Sequence, residues 1–354
     1  MKALIMAGGT GGHVFPALAV ADVLRAQGHE VVWMGAPESF EARVVPEHGY
    51  PVEFIRVSGL RGKGVLKLLF APLLLARALL DALGALRRVR PDVVLGMGGF
   101  AAGPGGVAAW LSRKPLLIHE QNAAPGMTNR LLARVATRVL EAFPRTFTSA
   151  LTVGNPVRKG FAELPPPAER LHHAGPARLL VIGGSQGAKA LNQWVPRALA
   201  LLPAAQRPQV RHQAGKTIEV ARASYAATDV EVSLEQFITD MPAAFAWADL
   251  VVCRAGASTI AELSAAGNAA VLVPFPAAVD DHQTRNGEFL VQAGAALLCP
   301  EAQMTAESLA ETLSALLGDR ARLQTMAQAA RGCAWRDAAQ QIAQLCLQSA
   351  EAAA

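Results

Sequence analysis

The sequence predicts an α/β fold of two Rossmann-like lobes, each a parallel sheet wrapped by helices, with a ligand cleft between them. Three observations carry this. The 354 residues are long for one hydrophobic core and suit two. Short apolar runs alternate with helical stretches, the pattern of parallel strands buried on both faces. One device also occurs twice: an apolar strand, a glycine turn, then a helix. The first copy is the strand 2–7 followed by Gly8-Gly9-Thr10-Gly11-Gly12-His13, and the second is the strand 178–182 followed by Gly183-Gly184-Ser185-Gln186-Gly187. Glycine lets backbone approach a ligand, and the helix behind it turns the positive end of its dipole toward that ligand.

The first turn opens a helix over 16–27, which Gly28 can end in the left-handed conformation. Strands follow at 30–34 and 52–57. Pro91 stops a long helical stretch before the strand 92–95, and the strand 115–119 follows a helix ending near Trp110. Gly154-Asn155-Pro156 and the triplet Pro165-Pro166-Pro167 break the pattern. The linker is placed there, which gives an N-terminal domain over 1–157 and a C-terminal domain over 158–335. The second lobe repeats the scheme with a helix over 188–202 and strands at 209–213, 231–233, 250–253 and 270–273. From Thr305 the chain is helical and rich in alanine, and Trp335 marks a bend before a final helix over 336–354.

Composition narrows the function classes. Only 17% of residues are charged, and the net charge is +5, with a pI near 9.3. A basic balance suits a nucleotide, a phosphate-bearing lipid or an anionic membrane surface. Nucleic acid is disfavoured, because the chain has two tyrosines and neither zinc-finger spacing nor a basic repeat. Cys253, Cys299, Cys333 and Cys346 form no CxxC pair, so no metal centre or disulfide framework is expected and a reducing compartment fits. Met1-Lys2 leads straight into a strand, so no signal peptide is read.

The two familiar glycine-loop chemistries fail on residues. From Gly9 the dinucleotide pattern meets Val14 where a third glycine is needed, and the second strand ends at Met34-Gly35 with no acid for a ribose. A Walker loop from Gly183 meets Ala188 where glycine should precede Lys189. His13, closing the first turn, is either a polar residue at a helix start or a titratable group poised to accept a proton near neutral pH. The stretch from Cys253 to Glu262 ends a strand in a small-residue turn, where Ser258 or Thr259 can cap the next helix. Glu262 is then either a stabilising carboxylate near the helix start or an acceptor for ribose hydroxyls. Asp280-Asp281-His282-Gln283 adds polar groups at another strand end, where such sheets bind ligands. No DxD occurs, so a leaving diphosphate would rely on helix dipoles and a cation such as Arg158.

Residues 60–90 carry Arg61, Lys63, Lys67, Arg77, Arg87, Arg88 and Arg90 against the single acid Asp81, interleaved with Leu66, Leu69, Phe70 and Leu73. The longest uncharged run, 68–76, is far short of the ~20 residues of a membrane span. A buried helix pair is one reading. The lopsided charge favours the other, a surface resting on anionic lipid, with Lys63, Leu66, Lys67, Leu69, Phe70, Leu73 and Arg77 in contact.

With these residues in hand the chain resembles the MurG family of bacterial N-acetylglucosaminyltransferases almost end to end. The turn Gly8 to His13, Gly96-Met97-Gly98-Gly99-Phe100, His119-Glu120-Gln121-Asn122, Gly154-Asn155-Pro156-Val157-Arg158, the turn Gly183 to Gly187 and the run Cys253 to Glu262 fall in the family's order. Phe100 stands where the family often has tyrosine, and Gly267-Asn268-Ala269 where it often has a proline. The resemblance implies a GT-B fold whose final helix returns to the N-terminal lobe, and no cofactor. It implies UDP-GlcNAc as donor and undecaprenyl-pyrophosphoryl-MurNAc-pentapeptide (lipid I) as acceptor. The product would be lipid II for peptidoglycan synthesis, made by a peripheral enzyme on the cytoplasmic face of the inner membrane. Wall-synthesis proteins are candidate partners. Carried across by motif, the backbone of Ile238 would meet uracil and Glu262 the ribose. Arg158, Ser185 and the turn Ala257, Ser258, Thr259, Ile260 with Ala261 would lie at the diphosphate. Asn122 and Gln283 would meet GlcNAc, and Thr10, Gly11 and Gly12 would line the junction with the acceptor. His13 is the candidate general base, and the acceptor's pyrophosphate would sit at the first glycine turn. The alternatives are a transferase acting on another lipid and a non-catalytic nucleotide-sugar-binding scaffold.

Overall fold

The computed structural model describes residues 1–57, 71–278 and 281–353. They divide into two compact units, Met1–Arg158 with Arg336–Ala354, and Lys159–Trp335. In the first unit, strands β1 (Lys2–Met6), β2 (Glu30–Gly35), β3 (Val52–Phe54), β4 (Val93–Gly96), β5 (Leu116–Glu120), β6 (Arg138–Glu141) and β7 (Leu151–Thr152) form one sheet. Its order is β3-β2-β1-β4-β5-β6-β7, with β1 parallel to both β2 and β4. Side chains of a strand alternate between faces. Ala3 and Ile5 therefore pack against the helices Gly11–Ala26 and Ala338–Glu351 through Val14, Leu18, Ile342 and Cys346. Leu4 and Met6 face the helices Ala71–Val89, Ala102–Leu111 and Met127–Leu132 through Ala82, Leu86, Ala108 and Leu132. The last helix thus completes the first unit's core.

The second unit repeats the plan. Strands β8 (Arg178–Ile182), β9 (Gln209–Gln213), β10 (Ser233–Glu235), β11 (Leu250–Cys253), β12 (Ala269–Leu272) and β13 (Ala296–Leu298) order as β10-β9-β8-β11-β12-β13. Leu179, Val181, Leu250 and Val252 are fully buried in its main core. A guanidinium staples its helices. Arg170 donates to the carbonyls of Phe245, Ala246, Ala266 and Gly267, at the ends of the helices Met241–Trp247 and Ala257–Ala266. A cation at two negative helix ends is favourable. Burial nevertheless pulls the Arg170 pKa down to about 10.

Several expectations shift. The first helix starts at Gly11 and holds Pro16 inside it, where the proline forgoes only the bond to the carbonyl one turn back. It ends as expected, with Gly28 at φ +81° and its N–H and that of His29 closing on Arg25 and Leu24. The strand expected at 231–233 runs Ser233–Glu235. The helix Ala257–Ala266 is preceded by Gly256 and has no side-chain cap, so Ser258 and Thr259 lie within its first turn and cap nothing. Trp335 lies between the helices Arg320–Gly332 and Ala338–Glu351 and stacks on Phe289.

Candidate active site

In open parallel sheets ligands bind beyond the carboxyl ends of the strands, where the strand order reverses. In the first unit that switch point lies between β1 and β4, and in the second between β8 and β11. Both glycine turns leave the strand at a switch point.

At the first, the loops after β1 and β4 touch backbone to backbone. A Cβ on Gly99 would come within 2.6 Å of the Gly8 backbone, and one on Gly98 within 2.7 Å of the His13 ring. Both glycines have positive φ, +93° and +89° for Gly98 and Gly99, so no other residue would fit without strain. Beneath the turn lies Glu41, only 3% exposed. Its carboxylate accepts from Gly9 N–H at 2.9 Å and from Ala36 N–H at 3.2 Å. That charge offsets the positive field an anion would use here, which counts against the acceptor pyrophosphate sitting at Gly9.

His13 is partly buried, and its Nδ1 lies 3.0 Å from Gln121 Oε1. Gln121 and His119, from the polar run closing β5, are buried alongside it. Their neighbour Glu120 is a loop organiser. Its two oxygens accept from Asn122 N–H and side-chain amide, Gly126 N–H and the Asn129 amide. Glu120 therefore sets the position of Asn122 and is poorly placed to take a substrate proton.

At the second switch point the backing is neutral. Gly183 N–H donates to the Gln213 carbonyl and Lys216 N–H to the Ser185 carbonyl. The Asn192 amide donates to the carbonyls of Ala214 and Thr217 and to Thr217 Oγ1. Asn192 Oδ1 lies 3.0 Å from His212 Nε2, and His212 Nδ1 lies 3.0 Å from the Tyr225 hydroxyl. Ile238 is buried, with its N–H on Gln213 Oε1 at 3.1 Å. Across β11, Arg254 holds the carbonyls of Val273 and Pro274 and pairs with Glu301 at 2.6 Å. Gln283 Oε1 accepts from Phe275 N–H at 2.9 Å. In the helix Ala257–Ala266, the Ser258 hydroxyl oxygen is buried with no hydrogen-bond partner among the described residues. An unsatisfied buried hydroxyl at a helix start calls for an acceptor from outside.

The expected site residues are divided between the units. Thr10, Gly11, Gly12, His13, Asn122 and Arg158 belong to the first, and Ser185, Ile238, the run Ala257 to Glu262 and Gln283 to the second. Lys63, Leu66, Lys67, Leu69, Phe70 and Asp280 lie outside the described residues. Leu73 is 71% exposed, and Arg77 is exposed on the same helix. The side chains that hold the site together, Glu41, His119, Gln121 and Asn192, were not among the expected site residues. For His119 and Gln121 the signal was present: a polar cluster closing an otherwise apolar strand. For Glu41, 32 residues from its partner Gly9, nothing local gives the contact away.

Comparison with known proteins agrees over nearly the whole chain. The glycosyltransferase family 28 N-terminal domain matches residues 3–141 and the glycosyltransferase family 28 C-terminal domain residues 178–342. A protein of Alkalilimnicola ehrlichii is 58% identical over 354 residues, 99% of either chain. One of Marinobacter nauticus is 56% identical over 352 residues, 98% of this chain and 97% of its own. Both are named UDP-N-acetylglucosamine--N-acetylmuramyl-(pentapeptide) pyrophosphoryl-undecaprenol N-acetylglucosamine transferase. The crystal structure of Acinetobacter baumannii MurG superposes with a TM-score of 0.86 at 42% identity, covering 98% of this chain and 99% of that one. The kitacinnamycin glycosyltransferase, at 18% identity and a TM-score of 0.72, shares the fold. With two parallel-sheet units and the GT-B fold class, the chain belongs to the MurG family of glycosyltransferases.

Proposed function

We propose that this chain is an inverting hexosyltransferase that moves GlcNAc from UDP-GlcNAc to the 4-hydroxyl of lipid-linked MurNAc-pentapeptide, making lipid II for peptidoglycan synthesis. The near full-length match to transferases named for that reaction carries the reading. In this reading the first unit takes the acceptor and the second the donor. The acceptor hydroxyl attacks the anomeric carbon in line, its proton passes to His13, and the C1–O bond to UDP breaks with the electron pair leaving on the diphosphate. Arg158, Ser185, the first turn of the helix Ala257–Ala266 and the unpaired Ser258 hydroxyl would receive that charge as preorganised donors. Glu262 would hold the ribose, the Ile238 backbone the uracil, and Asn122 and Gln283 the GlcNAc, with Thr10, Gly11 and Gly12 lining the reacting centre. The test is UDP release from UDP-GlcNAc with and without a lipid I analogue. Acceptor-dependent release is expected. No release at all would favour a scaffold, release that ignores the acceptor would mean hydrolysis rather than transfer, and release driven by a different lipid would favour another transferase.

We propose further that the enzyme works as a peripheral protein on the anionic cytoplasmic leaflet. Among the described residues no helix is long and apolar enough to cross a membrane. The helix Ala71–Val89 carries Leu73, Leu74, Leu75 and Leu80 exposed beside Arg77. An apolar strip with cations fits an interfacial contact. Each cation near such a surface contributes about 1 kcal/mol. Charge reversal at Lys63, Lys67 and Arg77 should lower flotation with anionic liposomes, most visibly at low salt. Equal flotation of wild type and variant would remove this contact.

A further inference from the structure

The hydrogen bonds behind His13 form one chain in which every proton position follows from the one before. His119 is fully buried, and burial holds its imidazole down at about 4, with the Gly154 carbonyl pulling the other way and the charge of His13 adding to the depression. At neutral pH the ring therefore carries one proton. His119 Nε2 lies 2.9 Å from the Gly154 carbonyl oxygen, which only accepts. The proton is on Nε2, and Nδ1 is left as an acceptor. Gln121 Nε2 lies 3.1 Å from that Nδ1 and 3.0 Å from the Met97 carbonyl. Two acceptors fix which end of the Gln121 amide is the NH₂ group. Its Oε1 is then the end facing His13 Nδ1 at 3.0 Å, and that oxygen also only accepts.

We infer that Gln121 is a positioning residue that holds His13 in the Nδ1–H tautomer, so that the lone pair of Nε2 is the one offered to a substrate hydroxyl. Gly98 makes room for the ring in that pose, since a Cβ there would overlap it. An amide is ordinarily a poor partner for this task, because it can present its NH₂ group instead and select the wrong tautomer. In the serine-protease triad that substitution costs about 10⁴-fold. Here His119 and the Met97 carbonyl remove the ambiguity from the far end. When Nε2 takes the hydroxyl proton, Gln121 Oε1 continues to accept from Nδ1–H, and no other proton moves. The inference rests on the proposed role of His13 as base.

The direct test is ¹⁵N-histidine NMR of the full-length protein, with the His13 ring assigned by its loss in His13→Asn. The wild type should show a protonated Nδ1 and an unprotonated Nε2 in the neutral ring. In Gln121→Met the preference should vanish, and kcat should fall about tenfold to a hundredfold through lost orientation, with UDP affinity unchanged. A protonated Nε2 in the wild type overturns the inference even if the variant does not fold. So does a tautomer preference that Gln121→Met leaves intact. Failure of the base assignment is separable: there His13→Asn would retain its kcat while the tautomer results stood.

Discussion

The two glycine turns look alike in sequence and differ in what lies behind them. Each leaves a central strand at a switch point, and each is underlain by a buried histidine, His119 or His212. Behind the first is the Glu41 carboxylate, bound to Gly9 N–H, and the turn ends in a histidine held by an amide. Behind the second are an asparagine, a threonine and a tyrosine, and the helix across the switch point keeps in its first turn a hydroxyl with no partner among the described residues. A glycine turn is therefore not an anion site by geometry alone. The charge that backs it decides whether the amides remain available to a phosphate. By that measure the first turn suits proton transfer and the second a charged donor.

The largest effect that would break this division is at His13. His13→Asn keeps a hydrogen-bonding side chain but cannot act as a base near neutral pH, so kcat should fall 10²–10⁴-fold, with UDP affinity retained by calorimetry. A near-normal kcat would move the proton elsewhere.

Next comes acid sensitivity, which both turns should share. Burial holds His119 at about 4 and His212 at about 3, whereas the unfolded chain takes up these protons near ~6.5. Stability should be complete above about pH 6.5 and decline as pH falls toward 4. The loss should reach about 1.4 kcal/mol per pH unit for each imidazole. Denaturant midpoints that stay flat between pH 7 and 5 would contradict the neutral buried rings.

At the second turn, Glu262→Ala should weaken UDP binding by about 1.5–3 kcal/mol, the usual loss for hydrogen bonds to a charged group. Unchanged calorimetric affinity would remove Glu262 from the donor site. The smallest effect sharpens the comparison most finely. Ser258 Oγ has no partner among the described residues, so Ser258→Ala should leave the melting temperature unchanged while UDP affinity drops by about 0.5–1.5 kcal/mol. A loss of stability would mean that the hydroxyl already has a structural partner.

Much of the scaffold was legible because parallel strands buried on both faces leave a plain record. β4 and β11 are uninterrupted apolar runs, β1 and β8 are apolar after their first residues Lys2 and Arg178, and the loops following β1 and β8 hold the glycines that form the turns. The short strands β6, β7 and β13 were not legible. β6 begins with arginine and ends with glutamate, and β7 has two residues, too few for any period to show. Helix starts were read late for one reason: Gly11 and Gly256 favour no conformation strongly, so neither announces a first turn. The supporting side chains were hidden differently. Gln121 meets His13 across 108 positions, a pairing made by the strand order β1-β4-β5 and invisible to local spacing. Glu120 and Gln121 are adjacent and equally polar, yet one ties down a loop and the other faces His13.

The most direct test of the division between the turns is a single-turnover measurement of GlcNAc transfer to a lipid I analogue, with enzyme in excess and donor raised to saturation. Glu262→Ala should approach the wild-type rate once donor saturates, because its defect is in holding UDP-GlcNAc. His13→Asn should remain 10²–10⁴-fold slow at every donor concentration. If saturating donor rescues His13→Asn, or fails to rescue a folded Glu262→Ala, the roles assigned to the two turns are wrong.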